Sequence, residues 1–235
     1  MQQQMLTAQQ IESLYRFCKK HYVHHYDVQT ELVDHLATAI EEKMQQQPGI
    51  AFEQALDEVY KGFGYSGFAK IVAARTSQMQ KRHNQLRRRF FFSYFTWPKI
   101  GFTLFLLAAL YTLLQQLPVD YLQLTSIIMF GVLQVLNYRL VRQLNKYRKQ
   151  LQAELLLVEG VSGPVFLFVF WQLYFYMMVY AKEINWLYAP VGMSAVLMLS
   201  LLFVLAVLSV LSYDSFSRSL YTEARQRYPA AFKEV

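Results

Sequence analysis

The spacing of apolar positions changes partway along the chain. Up to about residue 80 they recur every three or four residues, the period of an amphipathic helix. From about residue 100 they merge into long charge-free runs. The first regime predicts four short helices. Thr7, Ala8, Gln9 and Gln10 read as a capping box, followed by Ile11, Leu14, Tyr15, Cys18 and Tyr22 at helical spacing. Asp27 is placed to cap a second helix whose apolar face is Val28, Leu32, His35, Leu36 and Ala39. Pro48 and Gly49 break it. A third helix carries Phe52, Ala55, Leu56, Val59, Tyr60 and Phe63, and Gly64 ends it. Ser66 is placed to cap a fourth, which holds Phe68, Ile71 and Val72 and runs toward Pro98. Residues 1–80 therefore read as a small cytoplasmic helical bundle, near the lower size limit for an independent core.

The second regime predicts four membrane spans. Residues 100–117, 121–138, 162–181 and 189–212 carry no charge other than Lys182 and Glu183 between the last two. Each approaches the roughly 20 helical residues that cross a hydrocarbon core of about 30 Å. The second is the most polar, with Gln123, Thr125, Ser126, Gln134 and Asn137. Residues 139–159 continue it as a cytoplasmic amphipathic helix, on which Leu140, Leu144, Tyr147, Leu151, Leu155 and Val158 form one stripe. Residues 81–99 read as a basic-aromatic juxtamembrane linker and 214–235 as a cytoplasmic tail. The fold class expected is all-α: a polytopic membrane protein whose four transmembrane helices follow a small bundle.

Charge turns this pattern into a topology. The chain has 235 residues, 54% hydrophobic and 17% charged, with a net charge of +7. That charge is uneven: −2 over residues 1–80, +6 over 81–99 and +3 over 100–235. Lys81, Arg82, Arg87, Arg88 and Arg89 precede the first span, and Arg139, Arg142 and Lys146 follow the second. With four spans every basic cluster falls on one face, which places both termini in the cytoplasm. The expected location is the bacterial cytoplasmic (inner) membrane. The basic residues next to Phe90, Phe91 and Phe92 favour a lipid bilayer as partner over nucleic acid. A single cysteine, Cys18, excludes a disulfide scaffold and fits a reducing compartment.

The sequence FEQALDEVYKGFGYSGFAKIV at 52–72 resembles the helix–Phe-Gly–helix end of HAAS-type helical domains, which accompany PadR-type regulators. The segment ELVDHL at 31–36 is similar to that of bacterial membrane proteins with this layout. The resemblance covers about residues 7–75 and implies a regulatory or signalling role with no catalytic residues. Gly64, Tyr65 and Ser66 stand where that family ends in Gly-Asp-Pro.

Candidate chemistry is sparse. His21, His24, His25, Asp27, Glu31, Asp34 and His35 crowd into fifteen residues, with His21, His24, Glu31 and His35 as the metal-ligand candidates, and zinc needs three or four that converge. The competing reading is a core His35, a His21–Glu31 hydrogen bond and solvated His24 and His25. Asp27, Glu31, Asp34 and Glu41 form an acidic helical stripe, open to a basic partner, to the 81–89 run, or only to solvent. With Leu144, Leu151 and Leu155 they make up the candidate partner face. A protein partner, a second copy of the chain and internal packing all remain open there. No P-loop, nucleophile elbow, dinucleotide fingerprint or paired catalytic carboxylates occur, so the chain reads as non-enzymatic and without a cofactor. The functional expectation is regulatory, signalling or scaffolding. Two alternatives are a small carrier for an uncharged or lipid-like solute and a metal-responsive sensor.

Overall fold

The computed structural model describes residues 5–161 and 193–233. Among these residues the chain is helical, and the only β contact is an isolated antiparallel bridge between Leu151 and Phe232. Seven α-helices are described: α1 Ala8–Lys20, α2 Tyr26–Gln46, α3 Phe52–Lys61, α4 Ala69–Phe92, α5 Lys99–Gln115, α6 Val119–Gln150 and α7 Met193–Arg227. They divide into two compact units. One comprises Met1–His83, Gln150–Glu159 and Thr222–Val235; the other comprises Asn84–Lys149 and Gly160–Tyr221.

In the first unit, α1 starts as its sequence predicts. Thr7 Oγ1 accepts from the Gln10 amide and Gln10 Oε1 accepts from the Thr7 amide, closing the capping box. The buried face of α2 is Val28, Gln29, Leu32, Val33, Leu36 and Ile40. These residues pack with Leu14 and Cys18 of α1, Phe52, Ala55 and Leu56 of α3, and Phe68. Leu156 joins the same core from a distant part of the sequence. Gly67 adopts φ +49°, and a Cβ there would lie 2.6 Å from the Tyr60 hydroxyl, so the turn into α4 requires glycine. Helix α4 begins at Ala69, three residues after Ser66, so Ser66 does not occupy the N-cap expected of it; the Ala69 amide donates to the Ser66 carbonyl in the preceding turn.

Several boundaries differ from the sequence expectation, among them the end of α3, which falls at Lys61 with Gly62 as its cap rather than at Gly64. Residues 81–92 are not a linker but the second half of α4, and only six residues separate it from α5. Helix α6 does continue past residue 138, but it stops at Gln150 rather than at 159. Helix α7 runs on past 213 to Arg227, so most of the expected tail is helical.

In the second unit, Leu114, Met129, Leu133, Val196, Leu199 and Ala206 form a core shared by α5, α6 and α7. Large apolar side chains also face outward, among them Phe105, Leu113, Ile128, Val135, Leu197 and Met198. A soluble surface rarely carries so much exposed apolar area. Two helices are long and apolar enough to cross a membrane, over Leu124–Gln150 and Val196–Arg227. A third span exists if the bent pair Ala69–Phe95 and Lys99–Gln115 is taken as one. The expected span at 162–181 lies outside the described residues.

Candidate functional site

The most connected polar cluster lies in the first unit, around the segment Gln150–Glu159. Its physical origin is a run of four apolar residues. Leu155, Leu156, Leu157 and Val158 are all buried. Four consecutive residues cannot share one helical face; they lie past the end of α6 at Gln150, with a 3₁₀ turn over Leu156–Val158. That turn exposes backbone amides that need acceptors.

Asp27 supplies them. It does not occupy the N-cap of α2, which is His25, but sits in the first turn. Its side chain is 93% removed from solvent by the surrounding chain, being 7% exposed. Asp27 Oδ1 accepts from the Leu156 amide and Oδ2 from the Leu157 amide, each at 2.9 Å. Oδ1 also accepts from the Val28 amide at 3.1 Å. A carboxylate at the first turn of a helix is further favoured by the helix dipole. One buried side chain therefore joins the start of α2 to residues well over a hundred positions later.

Other contacts close the junction. The Tyr26 amide donates to the Glu154 carbonyl at 2.7 Å, and His25 Nε2 reaches Glu159 Oε2 at 2.9 Å. From α4, His83 Nε2 donates to the Leu157 carbonyl at 2.9 Å. The chain after α7 pairs on the other edge: the Gln152 amide donates to the Ala231 carbonyl and the Lys233 amide to the Gln150 carbonyl. Tyr228 sets its ring edge-on to Tyr26, 6.5 Å between centroids. Burial first, then the Asp27 charge, pushes the Tyr228 phenol above its ordinary value. Arg82 grips both carboxylate oxygens of Glu223, at 2.6 and 2.7 Å, and Arg227 adds a contact at 3.2 Å.

The sequence candidates are thus redistributed. His21 does not pair with Glu31. Its Nδ1 lies 2.8 Å from the Tyr60 hydroxyl, inside an aromatic group with Phe17 and Phe68. Glu31 instead pairs with Arg75 of α4. His24 is exposed. His35 points outward, with 73% of its side chain exposed, not into the core as expected. The buried face of α2 extends toward Gln29 and Val33, on the side of the helix away from His35. Among the described residues no three His, Cys, Asp or Glu side chains are placed to hold a metal.

The acidic stripe is divided as well. Asp27 is buried, Glu31 is paired, Glu41 accepts from the Leu6 amide, and Asp34 is exposed. Of the apolar partners, Leu144 and Leu155 are buried and Leu151 is half-buried. Among the basic residues Lys81, Arg88, Arg89, Arg139, Arg142 and Lys146 are exposed, and Arg87 donates to Asn84 within α4. Arg82 is taken up by Glu223. Sequence reasoning missed Arg75, His83, Glu159, Glu223 and Tyr228. The usable signal was the uninterrupted Leu155-to-Val158 run, which a helical stripe reading passes over.

No protein-family model, curated protein or solved structure matches this chain.

Proposed function

We propose that this protein is a four-span protein of the bacterial cytoplasmic membrane, with both termini inside, and that it is a non-enzymatic regulator or scaffold. One observation carries the reading. The buried Asp27 carboxylate receives the amides of Leu156 and Leu157. Residues 150–159 follow α6 directly, and residues 228–233 follow α7. A partner that binds α1–α3 and disturbs the start of α2 would therefore act on the ends of both long helices. Coupling of this kind requires an element whose state both ends can bias, and the 3₁₀ turn held by Asp27 supplies it.

The test is site-specific photo-crosslinking from exposed Asp34 in native membranes, repeated with Asp27→Ala. The reading expects one reproducible protein partner whose crosslink is lost or weakened in the variant. Absence of any partner, together with unchanged behaviour of Asp27→Ala, would sink it.

One observation favours a second reading, a carrier for an uncharged or lipid-like solute. Asn137 Oδ1 is buried within α6, and among the described residues no donor reaches it. Polar side chains inside spans line solute paths in many carriers. Substituting Gln134 and Asn137 by Leu should abolish flux in a carrier and leave a scaffold unaffected.

A further inference from the structure

The end of α4 and the start of α5 form an exposed basic-aromatic elbow. The chain turns there through a 3₁₀ turn at Ser93–Phe95, and the axes on either side differ in direction by 68°. The turn is stitched by its own hydroxyls. Ser93 Oγ donates to the Phe90 carbonyl, Thr96 Oγ1 to Ser93, and buried Thr103 Oγ1 to both Tyr94 and Lys99. Lys99 lies 4.9 Å from the Tyr94 ring centre. These bonds fix the elbow without help from the residues that project from it.

What projects is of two kinds. Phe91, Phe92 and Phe95 form one ring cluster, with centroids 5.5–6.3 Å apart. Phe92 and Phe95 are nevertheless exposed, and Trp97 is 83% exposed. Arg87, Arg88 and Arg89 precede them and are exposed. Among the described residues no carboxylate pairs with any of the three. Arg82, one turn and more earlier, is engaged by Glu223 and does not belong to this set. Beyond the elbow, α5 begins with exposed Phe102, Leu104 and Phe105.

We propose that this elbow is a binding site for anionic phospholipid headgroups. The occupant is chosen by charge and depth together. Three arginines without carboxylate partners call for anions. Indole and phenyl rings beside them favour the headgroup level of a bilayer, and the stems of long basic side chains lie along apolar surface while their heads reach outward. A helix α5 running along the membrane normal leaves the end of α4 close to the membrane plane, the placement of an interfacial helix. The inference rests on the membrane reading above and adds lipid selectivity to it.

The experiment reconstitutes the full chain carrying Trp171→Phe and Trp186→Phe, so that Trp97 is the only tryptophan. Vesicles contain phosphatidylcholine with a minority of phosphatidylglycerol, one or the other brominated to quench indole fluorescence. Phosphatidylglycerol should occupy the Trp97 site about threefold or more above its share of the bilayer. Arg87→Gln, Arg88→Gln and Arg89→Gln together should bring that ratio back to about one. If the triple variant does not insert, the three single variants decide, each lowering the ratio in part. Quenching by each lipid in proportion to its share of the bilayer overturns the proposal, as does no quenching or a ratio unchanged by the substitutions. Displacement of phosphatidylglycerol by a single-stranded oligonucleotide would also overturn it, in favour of nucleic acid. Failure of the protein to float with vesicles would reject the membrane reading itself, a result distinct from insertion without lipid preference.

Discussion

Asp27 holds three backbone amides with one carboxylate in a site almost closed to water. Replacing it by alanine leaves the Leu156 and Leu157 amides buried without acceptors. Each such group costs about 1–3 kcal/mol, so Asp27→Ala is expected to lower stability by about 2–5 kcal/mol. The loss should be local before it is global. Hydrogen exchange at Leu156 and Leu157 should speed up by more than at Leu14 or Leu36, and uniform acceleration would argue against this role. Cys18 makes a second residue-scale prediction. Burial pushes its thiol from an ordinary 9.0 up to about 11. The folded chain then holds this proton more tightly than the unfolded one. Its contribution to stability is intact below pH 9.0 and lost as pH rises toward about 11. Cys18 should accordingly resist maleimide at neutral pH until the chain is unfolded. Labelling of the native protein as fast as that of the denatured chain would contradict this.

At the scale of elements, the legible parts were those set by local rules. The Thr7–Gln10 capping box, the glycine-rich turn before α4 and the continuation of α6 past residue 138 all follow from neighbours within a few positions. The errors arose where a distant partner decided. A 3.6-residue stripe through Leu151, Leu155 and Val158 extends α6 too far, because it ignores Leu156 and Leu157. Leu156 enters the α1–α3 core and the amides of both residues meet the Asp27 carboxylate, which no local pattern reveals. His35 was placed in the core for a similar reason: Leu32 and Leu36 flank it, but the buried face widens on the Val33 side. Pairings such as Arg82 with Glu223 join residues far apart in sequence, and a single chain offers no sign of them. Leu156 is a core residue despite its place in a connection. Leu156→Ala is expected to cost about 2–5 kcal/mol, measured by denaturant unfolding, whereas the same change at exposed Leu197 should cost under about 0.5 kcal/mol in detergent.

At the scale of the whole molecule, the first unit is assembled from three separate stretches of chain. A fragment ending at His83 lacks Leu156 and the amides that Asp27 binds. It is expected to be less stable than the intact unit by about 2–5 kcal/mol. Adding a peptide of residues 150–161 should raise its melting temperature, by an amount that grows with the logarithm of peptide concentration once binding is saturated. A fragment as stable as the unit in the full chain, and indifferent to the peptide, would mean that the junction is incidental. The sequence places residues 1–80 near the lower size limit for an independent core, but does not say what would complete that core.

The backbone pairing of Gln150 and Gln152 with Lys233 and Ala231 bears on the order of events during synthesis. Helices α1–α3 leave the ribosome first, but their junction cannot close until everything between Glu159 and Thr222 has been made and the last residues have followed. Domains ordinarily fold as units as they emerge. Here completion is postponed to the end of translation, so a chain interrupted at any point in α7 would leave the backbone of Gln150 and Gln152 without its Lys233 and Ala231 partners. Such a chain would differ from the finished one by an unpaired backbone edge, a feature that invites pairing with other chains.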